Sequence, residues 1–187
     1  MRMSGVWDEI YLAWAKWGFL RRIHKDGWTG NYISGTDGQA SFAYSIGLWE
    51  QLRAPELIVF GADAKVSQGL ITRAHAQLRT GQLKLADKAP WRLEGNGGPR
   101  LAWRAVHPSQ IRAEYFSLAI WHRQHRKMGR EGFKAFQLVI SDENGVMPWE
   151  DGFSADDRPK QPELYLPYFG APEDDERGGQ RPPRHLH

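Results

Sequence analysis

Hydrophobic positions over residues 41–61, SFAYSIGLWEQLRAPELIVFG, fall into two runs of different period. Phe42, Tyr44, Ile46 and Leu48 alternate with Ala43, Ser45 and Gly47, which is the period of a strand with two distinct faces. Leu57, Ile58, Val59 and Phe60 form an unbroken apolar run that stops at Gly61, as in a strand covered on both sides. Upstream, Trp7, Ile10, Tyr11, Trp14, Trp17, Phe19 and Leu20 recur at mostly helical spacing and predict an amphipathic helix over 6–22 with an aromatic face. Lys25-Asp26-Gly27 and Gly35-Thr36-Asp37-Gly38 carry turn chemistry, so a short strand over 29–34 is expected to hairpin onto 41–49. Gly47, inside the strand pattern, marks a bulge or a close approach of another backbone or a ligand.

Downstream, Asp63 is placed to cap a helix running to Thr80, with Val66, Leu70, Ile71, Ala74 and Leu78 on one face and Gly81 as its stop. His75 neighbours that face and reads as a packed or surface histidine. A connector leads through Pro90 to short strands at 91–93 and 101–105, separated by a glycine turn over 95–98. His107-Pro108-Ser109 opens a second long helix, with Ile111, Tyr115, Leu118, Ala119 and His122 on one face. Phe136–Ile140 reads as a buried strand, and the turn after it is signalled by Asn144-Gly145. Residues 151–187 hold six of the eleven prolines; Leu164–Phe169 is expected to dock on the body, with disorder from Glu173 onward. The expected fold is a single α+β domain: a mostly antiparallel sheet of about five or six strands packed against two helices. Its parts are an aromatic N-terminal helix over 1–22, the domain over 23–170 and a flexible tail over 171–187.

A length of 187 residues suits one domain with an appendage, and a 41% apolar share is enough for a core. Nine tryptophans make that core aromatic. With no cysteine there are no disulfides, thiolate metal sites or cysteine nucleophiles, which fits a cytoplasmic setting. No apolar run approaches the roughly 18 residues of a membrane span, and Asp8 and Glu9 interrupt any signal-peptide core. The net charge of +3 is uneven: residues 1–150 carry an excess of basic groups and residues 151–187 an excess of acidic ones. A basic body of this kind attracts anionic partners.

Candidate chemistry is sparse. The glycines at 35 and 38 join two strands and precede no Lys-Ser/Thr, so they form no phosphate-binding P-loop. Ser45 lacks the Gly-x-Ser-x-Gly elbow and a strand-to-helix turn at the serine. The polar groups left as catalytic candidates are His24, Tyr44, Ser45, Asp142 and Glu150, with Glu56 beside them. Arg123, Arg126, Lys127 and Arg130 end the second helix, where cations complement the macrodipole and offer an anion or nucleic-acid contact. His122 and His125, three apart, lack a third ligand at fixed spacing, so neither a metal nor a cofactor is expected. Trp7, Trp14 and Trp17 either dock on the domain's own core or offer a surface for another protein or for self-association, and no membrane role is expected.

Four segments, Gly27-Trp28, FAYSIGLWE, PELIVFG and FQLVISDENGVMPWEDGF, occur in an order and at intervals that resemble a largely bacterial family, domain of unknown function 4262. Its members carry HGW, FAYTVGL, HPELIVFGL and a WPDxxGxFPW turn, and the resemblance spans residues 24–168. This chain departs at Ile140 and Ser141, where the family has Trp-Pro, at Met147, where it has Phe, and at His24, which is separated from Gly27. The resemblance implies domain boundaries and no reaction. Motifs built from Gly, Pro and aromatic residues specify a fold, whereas acid–base chemistry needs His or carboxylates at fixed places. The expected function is therefore a binding or interaction module in a multi-protein, defence-type system. The rivals are a small hydrolase or transferase with its pocket at Tyr44 and Ser45, and nucleic-acid binding through the basic helix end.

Overall fold

The computed structural model describes residues 16–36, 38–93, 98–129 and 132–170. Helix α1 covers residues 16–26. The strands are β1 (Thr29–Ile33), β2 (Phe42–Ile46), β3 (Glu56–Phe60), β4 (Ala89–Trp91), β5 (Leu101–Ala105) and β6 (Ala135–Ile140). Between them lie the short helix α2 (Leu48–Leu52) and the long helices α3 (Ala64–Arg79) and α4 (Ala113–His125). The strands form one sheet in the order β1-β2-β3-β6-β5-β4. Every neighbouring pair is antiparallel except β3 with β6. Parallel neighbours cannot be joined by a hairpin, so the chain between them makes a long excursion through α3, β4, β5 and α4.

Helices cover both faces of the sheet, which is why β3 is apolar without alternation and buried at every position. On one face Leu70, Ile71 and Ala74 of α3 pack against Ala43, Leu57, Val59, Trp103 and Leu138. On the other, Ile23 of α1 and Phe116, Ala119 and Ile120 of α4 meet Phe42, Tyr44, Ile46, Ile58 and Phe60. A smaller cluster of Met147, Trp149 and Tyr165 closes over Ala102 and Val139. The α+β class, the β1–β2 hairpin and the Asp63 cap, whose carboxylate accepts the Val66 amide at 2.8 Å, agree with the sequence reading.

Several local expectations are corrected. The strand expected through residue 49 ends at Ile46, because Gly47 at φ 102° turns the chain into α2. The N-terminal helix continues to residue 26, beyond the expected end at 22. Val66 is 48% exposed, on the outer side of α3. The short strand expected at 91–93 lies at Ala89–Trp91. His107-Pro108-Ser109 begins a 3-10 turn, and α4 starts only at Ala113. Leu164 and Tyr165 dock as expected, while Leu166, Tyr168 and Phe169 stay exposed. The readings over residues 1–15, 94–97 and 171–187 lie outside the described residues. Among the described residues no helix is long and apolar enough to cross a membrane.

Candidate functional site

Gly47 decides the geometry of the region. By ending β2 it lets the next residues coil, which directs Glu50 and Gln51 toward α1 and α4. The turn is held from beneath by Glu56, the first residue of β3. Its Oε1 accepts the Gly47 amide at 2.9 Å and its Oε2 accepts the Ser45 hydroxyl at 2.6 Å. The Leu48 and Trp49 amides also hydrogen-bond to this carboxylate. Ser45 Oγ in turn accepts the Leu57 amide at 2.8 Å. Burial pushes the Glu56 carboxyl above its ordinary range, opposed by the Ser45 and backbone hydrogen bonds. Ser45 is 0% exposed and Glu56 4%, so this hydroxyl–carboxylate pair is sealed inside the fold.

An open cleft lies on the other side of that turn, about 250 Å³ in volume, between α1, α2 and the end of α4. His24, Glu50, Gln51, His122 and Arg126 supply its polar lining, and Leu20, Ile23 and Gly27 the rest. His122 and Arg126, four apart, fall on one face of α4 and both reach Glu50. His122 Nε2 is 3.4 Å from Glu50 Oε2, and Arg126 donates to Glu50 Oε1. Burial lowers the His122 pKa and the Glu50 carboxylate opposes that shift. The imidazole is therefore neutral at neutral pH. Gln51 is fixed from behind: its Oε1 is 2.9 Å from His75 Nε2, and Trp28 stacks on that imidazole at 4.7 Å. Burial, reinforced by Arg79, also lowers the His75 pKa.

The five catalytic candidates do not share a site. His24 lines the cleft. The Tyr44 hydroxyl accepts from Asn31 Nδ2 at 3.0 Å and from the Leu118 amide at 3.3 Å, and the ring lines a different cavity. Ser45 is sealed beneath α2. Asp142 lines a third cavity, at the C-terminal ends of β3 and β6. Its Oδ1 accepts the Asn144 and Val146 amides and its Oδ2 the Ser154 amide, each at 2.8–3.0 Å. Glu150 is held by two contacts from Arg100, at 2.8 and 2.9 Å, and by the Met147 amide. Asp142 and Glu150 therefore tie a turn together. Asp142→Ala, which strips three amides of their acceptor, is expected to lower stability by about 1–2 kcal/mol in urea unfolding.

The basic helix end also divides. Arg123 turns inward, donating to the carbonyls of Gly129 at 3.1 Å and Met128 at 3.3 Å, with Trp49 and Phe133 beside its guanidinium. Arg126 faces the cleft, Lys127 sits just past the end of α4 at φ 54°, and Arg130 lies outside the described residues. His125 stacks on Trp121 at 5.4 Å, away from His122 in the cleft. Among the described residues no three His, Asp or Glu side chains converge to hold a metal. Of the aromatic candidates Trp17 is 63% exposed, with Arg21 over its ring, while Trp7 and Trp14 lie outside the described residues.

Sequence reasoning missed Glu50 and Gln51 because they fall between the expected strand over 41–49 and the apolar run at 57–60. The available signal was Leu-Trp-Glu-Gln-Leu after a glycine, which is a better helix than strand. Residues 22–154 match the family described as Domain of unknown function (DUF4262). No curated protein and no solved structure matches the chain.

Proposed function

Since the chain belongs to the DUF4262 family, a domain of unknown function, we propose its role from geometry alone: a binding module that docks an acidic partner protein over the α1–α2–α4 cleft. One observation carries the reading. His24, Glu50, His122 and Arg126 line an open cleft, whereas Ser45, Asp142 and Glu150 are each occupied by hydrogen bonds within the fold.

Three features support a protein partner. Trp17 stands exposed on the same helix that forms one wall of the cleft, and an exposed tryptophan beside an arginine is a common anchor of protein interfaces. Arg21, Arg22, His24 and Lys25 are exposed along the described part of α1 and favour an acidic surface. The Glu50–Arg126 pair lies at the mouth of the cleft, where a covering partner would strengthen it by excluding water. A hydrolase centred on Tyr44 and Ser45 has less support, because Ser45 Oγ already accepts the Leu57 amide and is sealed from solvent. Nucleic-acid binding has less support because Arg123, which the basic helix end would need, is turned inward onto the Gly129 and Met128 carbonyls.

The test is co-purification with the tagged full chain, followed by affinity measurement on any protein recovered. Trp17→Ala is expected to weaken that complex by about 2 kcal/mol, roughly thirty-fold, and Arg126→Glu to abolish it, with little change in melting temperature. A partner bound equally by the parent and both variants sinks the assignment to this cleft, and recovery of nucleic acid in place of protein sinks the partner class.

A further inference from the structure

The two edges of the sheet are finished differently. At one edge β4 is three residues long, and its middle residue is Pro90, which has no N–H to offer a further strand. At the other edge β1 runs five residues without a proline, and no charged side chain occurs from Gly27 to Gly35. Among the described residues β1 forms backbone hydrogen bonds with β2 alone. Asn31 and Tyr32 are half-buried and Ile33 is 39% exposed. Both long helices are centred over β2: α3 lies across β1, β2 and β3, and α4 packs on β2. Helix α1 reaches the sheet through Ile23 beside Gly47, at the end of the strands. An uncovered strand edge is a template for another strand, and an unused one is blunted by proline, charge or shortness, as β4 is.

The sequence of β1 matches its own copy. Thr29, Asn31 and Ile33 pair with Ile46, Tyr44 and Phe42 on the α4 face of the sheet, which leaves Gly30 and Tyr32 to the α3 face. A two-fold axis at Asn31, the middle of the strand, relates two antiparallel copies in one register. It sets Gly30 opposite Tyr32, Thr29 opposite Ile33, and Asn31 opposite itself. The Tyr32 ring then covers a position with no side chain, and the exposed Gln68 side chain now lying over Gly30 can swing aside. Thr29 and Ile33 form a β-branched cross-strand pair. Asn31 Nδ2 donates to the Tyr44 hydroxyl at 3.0 Å, and its second proton and Oδ1 serve the amide across the axis. No like charges meet along the strand. β2 and its mate would lie three strand spacings, about 14 Å, apart, so the helices over them sit side by side without collision.

We propose that the β1 edge is a self-association surface, through which two copies of the chain join their sheets into one. The first measurement is light scattering of the full chain over a range of loading concentrations, with a limiting mass of about twice 21.4 kDa expected. Asn31→Asp keeps the shape and can accept the Tyr44 hydroxyl, but places two carboxylates face to face on the axis. It is expected to weaken the dimer about ten-fold or more. Ile33→Lys, at an exposed position, is expected to weaken it about five-fold. Melting curves show whether each variant is folded. The register has its own test, because the chain has no cysteine. Asn31→Cys is expected to form a disulfide-linked dimer on mild oxidation, whereas Ile33→Cys, whose two thiols lie four strand positions or about 13–14 Å apart, is not. A chain that stays monomeric at every concentration overturns the proposal. So does a dimer that both charged variants leave intact, or one that crosslinks through Ile33→Cys and not through Asn31→Cys. Trp17→Ala and Arg126→Glu are expected to leave the dimer unchanged, so this reading and the partner-docking one can fail separately.

Discussion

Replacing Glu56 by alanine is expected to lower the unfolding free energy by about 3–5 kcal/mol in urea, enough to unfold a marginal domain. The side chain accepts the Ser45 hydroxyl and the Gly47 amide, and the Leu48 and Trp49 amides also hydrogen-bond to it. Alanine leaves these donors buried without an acceptor and opens a void between β3 and α2. Glu56→Gln keeps one carbonyl oxygen for the Gly47 amide and is expected to cost about 1–2 kcal/mol. The pair of variants also isolates a pH dependence. Burial raises the Glu56 pKa above its ordinary 4.5, so the folded protein keeps this proton to higher pH than the unfolded chain does. Its contribution is most favourable below 4.5 and falls as the pH rises through the folded value. Asp87, Glu150 and Asp157, whose pKa values are lowered, act in the opposite sense, being stabilising above the unfolded value and lost toward acid. They are common to both proteins and cancel in the difference. The stability of the parent minus that of Glu56→Gln should therefore decline as the pH rises from 4.5 through the raised folded value. A flat or rising difference would falsify the account of this carboxylate.

Gly47→Ala is expected to be the second severe substitution, costing about 2–4 kcal/mol. Gly47 sits at φ 102°, where a residue with a Cβ is strained by about 1–3 kcal/mol. The new methyl would also lie 3.1 Å from the Gly27 carbonyl oxygen and 3.3 Å from the Ile23 methyl, both in the α1 arm. The chain can relieve that contact only by moving α1 away from α2. The cleft should then widen along with the loss of stability, seen as faster amide exchange over residues 20–28. Normal stability and unchanged exchange in this variant would remove Gly47 from its role as the pivot between core and cleft.

The architecture was legible because its signals are local. Period-two alternation found β2, an unbroken apolar run found β3, and Asp63 and Gly81 bracket α3 to within a residue or two. The cleft was half legible. His122 and Arg126 share a face through their spacing, and His24 stood out as a polar residue near a turn. Glu50 was hidden because glycine within an alternating segment fits a bulged strand as well as a strand end; the local signal is the helix-forming run after it, and packing against Gly27 and Ile23 fixes the outcome. The parallel pairing of β3 with β6 was not legible, since strand order depends on contacts between residues far apart in sequence. The carboxylates misled in another way. Asp142, Glu150 and Glu56 resemble acid–base groups in composition, yet each is engaged with backbone amides, which leaves no trace in residue identity.

The parallel pair has a consequence for how the chain is made. Ile58 faces Gln137, 79 positions further on, so the inner strand β3 waits for its second neighbour until most of the domain has been synthesised. At about 5–20 residues per second this interval lasts roughly four to sixteen seconds on the ribosome. During it the β1–β2–β3 meander can form and presents β3 as a bare apolar edge, the kind of surface to which another nascent chain sticks. Translation speed between residues 60 and 135 is thus expected to alter the yield of folded protein, measured as the soluble fraction when slow codons are placed there.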